Sequence, residues 1–248
     1  MKDTITIYWS PSAFLPEESS WTMLYSEPEP LLNQIIQKKN DNNKKNNMFS
    51  CPAYVSSMKN VFVTNNVMPS KIIIPEYIKS NNLNYPLDIF DIAPLKVKID
   101  KEPSIEGTVN IRYNMSWIFF AEEPVVARFT APYFPPVSPA QNVILSTGEF
   151  DIGQWFRDFN LDYHIPHNVS ELNFEADQPL FYTEFKTDKK IILKRFKMNK
   201  ELANIAEECA TSNIRYGGQK NLLQRYENAK KANLREQVLN EIKKNLID

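Results

Sequence analysis

The chain has 248 residues, 42% of them hydrophobic and 24% charged, enough to bury a sizeable core and too apolar for a wholly disordered polymer. Its 29 Lys and Arg against 30 Asp and Glu give a net charge of −1, without the basic footprint of a dedicated nucleic-acid binder. The start, MKDTITIYW, lacks the apolar core of a signal peptide, and no window approaches the roughly 18 apolar residues of a membrane helix, so a soluble protein with no membrane partner is expected. In chain order, an N-terminal strand and a short helical piece around Leu31 to Ile36 come first. Gln37 to Asn47 then has no apolar residue and reads as an exposed loop.

From Leu95 the period is two. Leu95, Val97 and Ile99 alternate with lysines, and a longer run places Val109, Ile111, Tyr113, Met115, Trp117 and Phe119 opposite Asn110, Arg112, Asn114 and Ser116. Such alternation predicts strands with one face on a core. Further strands are expected at 125–130, 142–146, 150–156, 172–175, 180–186 and 190–196, the last two joined through Thr187-Asp188-Lys189 as a hairpin. Closely spaced strands without intervening helices predict an antiparallel β-sandwich, jelly-roll-like, over residues 49–197. Residues 1–48 then form an N-terminal strand, short helix and Lys/Asn-rich loop, and residues 198–248 a set of helices.

The switch to helical period is clear there. Leu202, Ile205, Ala206, Cys209 and Ala210 repeat at i, i+3, i+4, i+7 and i+8 behind Asn199 as N-cap. A second helix is expected from Gln219 to about Lys231. A third, capped by Asn233 with Glu236, carries Val238, Leu239, Ile242 and Leu246. Their apolar stripes fit packing on the sheet, a protein partner or self-association.

Footholds for chemistry are few. The only two histidines fall in Asp162-Tyr163-His164-Ile165-Pro166-His167. Strand parity, Pro166 and the lack of a third histidine argue against a metal set with Asp162, so a solvated turn and no cofactor are expected. Cys51 precedes a proline and has no base assigned by sequence, and Cys209 lies on an apolar helix face. Five glycines leave no room for phosphate-loop or dinucleotide fingerprints. Glu149, Asp151, Asp158, Asp162 and Glu184 lie near Trp155, Tyr163 and Tyr182, the pairing of acids and aromatics a sugar site uses. From this set Trp155, Tyr182, Glu184 and Asp151 are the candidate ligand-binding residues, at the mouth of the sandwich.

The segments CPAYVSSMKNVFVTNN (51–66), GEFDIGQWFRDFNLDY (148–163) and QPLFYTEFKTDKKIILKRF (178–196) resemble an uncharacterised family of marine T4-like phages, especially cyanophages, over about residues 49–197. That family has no assigned activity and so supplies no catalytic residue. The resemblance implies viral origin, in the virion or the cytoplasm of the infected bacterial host. The reading favoured by sequence is a non-catalytic phage binding or assembly protein acting through protein contacts. The alternative is an enzyme or small-ligand binder acting on a sugar or a metal-dependent substrate.

Overall fold

The computed structural model describes residues 3–12, 25–41, 51–67, 69–74, 91–92, 95–100, 105–113, 116–133, 143–215 and 221–247. The first strand, β1 (Thr4–Pro11), precedes the two-residue β2 (Glu29–Pro30) and helix α1 (Leu31–Asp41). Cys51-Pro52 opens a single helical turn, α2 (Pro52–Ser56), because proline at the first helical position forfeits only an N–H that would have no partner there. Strands β3 (Val61–Asn65), β4 (Ser70–Ile73), β5 (Asp91–Ile92), β6 (Leu95–Asp100), β7 (Thr108–Tyr113), β8 (Trp117–Ala121) and β9 (Val126–Thr130) follow. Then come β10 (Ile144–Leu145), β11 (Gly148–Asp151), β12 (Leu161–Pro166), β13 (Glu171–Phe174), β14 (Pro179–Lys186) and β15 (Lys190–Arg195). Helices α3 (Lys200–Arg215), α4 (Leu222–Lys231) and α5 (Leu234–Lys244) close the chain.

The protein is mainly β and largely antiparallel, with three helices at the C-terminal end. Its sheets run β15-β1-β8, β10-β12-β7-β6-β5 and β11-β9-β14-β3-β2, with a separate β13-β4 pair. Trp9, Trp117 and Phe119 from the first sheet, Ile111, Tyr163 and Ile165 from the second, and Phe129, Phe181 and Phe185 from the third share one buried core. Facing sheets around a common aromatic filling form the sandwich that the alternation predicts.

Several features depart from the expected strand plan, among them the strand expected over residues 150–156, which ends at Asp151 and gives way to a turn over 152–154. The long alternating run is two strands in different sheets: β7 pairs with β6 and β12, whereas β8 pairs with β1. The hairpin expected over residues 181–196 does not form. β14 pairs with β9 and β3, and β15 crosses to run parallel to β1. The connection is fixed from outside: Asn60, at φ 61°, donates from Nδ2 to the carbonyls of Thr187 (2.6 Å) and Lys189 (3.2 Å), and Lys190 N donates to Asp3 O at 2.9 Å. The N-terminal strand is thereby the middle strand of a sheet, flanked by β15 and β8.

The helices form a further layer. Tyr8, Ile118 and Phe120 turn away from the main core onto Phe196, Met198, Leu202 of α3, and Val238 and Ile242 of α5. Asn199 caps α3 as expected, its Oδ1 accepting from Leu202 N at 2.9 Å, and its Nδ2 donates to Glu241 of α5 at 2.7 Å. The start of α5 differs from its expected cap. Asn233 sits in the left-handed region at φ 50° and makes no side-chain cap bond, while its Nδ2 donates to Glu236 Oε2 at 2.6 Å. The capping box belongs to α4 instead, between Asn221 and Gln224. No helix among the described residues is long and apolar enough to cross a membrane.

Candidate functional site

The four residues singled out as ligand-binding do not line one pocket. Trp155 is 7% exposed and packs in the main core against Phe150, ring centroids 5.4 Å apart. Tyr182 points through the opposite face of its sheet, into a separate cluster with Leu31, Ile35, Met58, Val61 and Val63 beneath α1. A strand residue and its next neighbour face opposite ways, so Phe181 enters the main core and Tyr182 cannot. Glu184 shares Tyr182's parity and is half-buried, in register with Arg128 and Val61. Nearby, Tyr133 meets Tyr182 edge-on at 4.9 Å, its hydroxyl pushed up by burial first and by the Glu184 carboxylate second.

Asp151 is consumed by its own turn. Its Oδ1 accepts from Val125 N at 3.0 Å and Gly153 N at 2.8 Å, and Gln154 Nε2 donates to Oδ2. Its backbone N donates to the Tyr226 hydroxyl of α4 at 2.7 Å. The carboxylate therefore shapes backbone, which sequence cannot distinguish from an acid facing a ligand. Beside this turn lies an open cleft of about 590 Å³ against α4 and α5, lined by Pro124, Gly153, Gln154, Tyr226, Lys230 and Leu239 among others. The guanidinium carbons of Arg157 and Arg225 each lie 4.9 Å from the Trp155 ring centroid. Burial lowers the affinity of Arg157 for its proton, with Asp158 opposing that effect.

The histidine stretch is strand through Pro166, a departure from the expected solvated turn for His164, whereas His167 lies in a turn, half-buried. In β12 Leu161, Tyr163 and Ile165 fill the core, and Asp162 and His164 take the other face. Asp162 is held by Arg112, Nε to Oδ1 at 2.7 Å and Nη2 to Oδ2 at 3.3 Å. His164 is 5% exposed, and its Nε2 lies 2.8 Å from Ser146 Oγ. His167 follows the strand, its backbone N donating to Gly107 O at 3.2 Å. Pro166 still pairs in register with Thr108, and the turn comes just after it, through His167 and Asn168, closed by Val169 N donating to Pro166 O at 2.9 Å. Sequence reasoning missed Ser146 because only the pairing of β10 with β12 brings it to His164.

Among the described residues no three His, Cys, Asp or Glu side chains gather in a group that could hold a metal ion. Cys51 is exposed, and Cys209 is half-buried with its thiol pushed up to about 11 by burial. A thiol held protonated in this way is a poor nucleophile. Comparison with protein-family models, curated proteins and solved structures returned no match for the chain.

Proposed function

We propose that the chain is a phage binding or assembly protein that works through protein contacts, with its C-terminal helical layer as the contact surface and a second copy of itself as the first partner. The observation that carries this is the state of α4. None of its residues is buried, and Leu223 is 72% and Leu222 38% exposed, whereas α3 and α5 are anchored through Leu202, Val238 and Ile242. An exposed leucine pair on a helix that buries none of its residues is a natural knob for a partner. Lys230, Lys231, Arg225 and Glu227 mix both signs on the same helix, and a net charge of −1 offers little self-repulsion between copies. Light scattering behind a sizing column should find an oligomer, and Leu223→Glu should return a monomer without lowering the melting temperature. A native chain that stays monomeric at high concentration would sink this reading.

A second reading, a small-ligand binder, is favoured by the cleft beside the Asp151 turn, whose volume falls in the range of about 300–1,000 Å³ usual for ligand sites. Lys230, Arg235 and Glu236 line it together with Leu239 and Pro124. That mixture suits a polar ligand with an apolar body, such as a sugar. A panel of mono- and disaccharides should then raise the melting temperature of the native chain, and Gln154→Ala should abolish the rise. No shift with any sugar at millimolar concentration would remove this alternative.

A further inference from the structure

Ser146, His164 and Asn110 lie side by side on one face of the five-stranded sheet that contains β12. Ser146 directly follows β10, the edge strand, and its backbone N is tied to Asp162 O at 2.8 Å. Its side chain is half-buried, so the hydroxyl sits at the open edge while the imidazole behind it is shielded from water. Across β12 from β10 lies β7, where Asn110 is the direct register partner of His164. Both His164 Nδ1 and Asn110 Oδ1 are buried without a hydrogen-bond partner. Two such atoms on neighbouring residues are costly to leave apart. When His164 Nε2 accepts the Ser146 proton, Nδ1 must carry its own, and a turn of the Asn110 amide would satisfy donor and acceptor together.

We propose that Ser146 is a nucleophile, His164 its general base and Asn110 the positioning residue that holds the imidazole in the productive tautomer, acting on carboxylic esters. Ser146 Oγ bonds to the ester carbonyl carbon as its proton passes to His164 Nε2. The bond from that carbon to the alcohol oxygen breaks, and the alcohol leaves with the proton from Nε2. Water then attacks the acyl-serine, giving up a proton to Nε2, and the acid departs as Ser146 regains its hydrogen. Ile144, 53% exposed, lies in register with His164 two residues before Ser146. It offers the acyl chain an apolar rest, which points to esters of short aliphatic acids.

The test uses the full chain, a fluorophosphonate probe and p-nitrophenyl butyrate. Labelling should occur at Ser146 by peptide mapping and vanish in Ser146→Ala. Hydrolysis should fall about a hundredfold or more in His164→Gln, which removes the base while leaving a hydrogen-bonding side chain. Asn110→Asp, which keeps an acceptor and adds a negative charge that favours the imidazolium, should move the acid limb of the pH profile to higher pH. Native-like circular dichroism of each variant separates these effects from unfolding. Labelling that persists in Ser146→Ala, the absence of any label on the folded native chain, or hydrolysis unchanged in His164→Gln would each overturn the proposal.

Discussion

Replacing Trp117 with alanine should cost about 3–5 kcal/mol of stability, the range for removing a large aromatic side chain from a core. Trp117 is fully buried at 0% exposure. Its ring meets Tyr25 edge-on at 4.9 Å and Phe181 at 5.3 Å, and its Nε1 donates to Ser26 O at 3.3 Å. The indole thus links β8 of one sheet to β14 of another and to the segment before β2. No neighbour can collapse into the space without giving up its own ring contact, so the cavity term adds to the lost transfer energy. A whole domain is stabilised by only about 5–15 kcal/mol, and the variant should be marginal or unfolded at 37 °C. Urea titration measures this directly. A loss below about 1 kcal/mol would contradict a core shared between the sheets.

The position of Trp117 also shows why parts of the fold were legible in the sequence and parts were not. Strands with one covered face, such as β13, where Leu172 and Phe174 are buried and Glu171 and Asn173 exposed, advertise themselves by alternation. β8 reads Trp-Ile-Phe-Phe-Ala with every residue buried, because Trp117, Phe119 and Ala121 face the main core and Ile118 and Phe120 the helices. β3, likewise, has Phe62 in the main core and Val61 and Val63 beneath α1. When both faces are covered no period remains, and alternation runs straight through a strand boundary, as it does between Tyr113 and Trp117. The C-terminal helices were legible because each keeps a polar face. Thr187-Asp188-Lys189 encodes a reversal but not a partner, so a crossover between sheets carries the same local signal as a hairpin.

The same reasoning applies to the sites. Asp151 and Trp155 were singled out as ligand-binding residues, yet what they touch is the backbone of Val125 and Gly153 and the ring of Phe150, none of which composition reveals. Ser146 and His164 lie 18 residues apart, and only antiparallel register aligns them. A hydroxyl beside an imidazole across two strands leaves no motif behind. Strand pairing is the missing information in each case, and a single sequence does not contain it.

Gly153→Ala should be the most damaging glycine-to-alanine change among the described glycines, costing about 3 kcal/mol, the upper end for overpacking. A Cβ at Gly153 would stand 2.2 Å from Glu123 O, 2.7 Å from Glu123 C and 2.9 Å from Pro124 Cα. All three are backbone atoms, so no side chain can swing aside to make room. The strand-linking segment at 123–124 or the turn at 152–154 must move, and either shift pulls on Asp151, whose Oδ1 joins the two through Val125 N and Gly153 N. The backbone of Ile152 is held there as well, its N donating to Val125 O at 2.9 Å and its O accepting from Ala121 N at 3.2 Å. A melting temperature lower by about 6–12 °C follows for a chain of this size. Gly107→Ala provides the contrast. It has φ +76° but nothing within 4 Å of the added Cβ, and strain at one such residue costs only about 1–2 kcal/mol. If Gly153→Ala proves no worse than Gly107→Ala, the close approach at the Asp151 turn is not part of the native structure, and neither is the cleft built beside it.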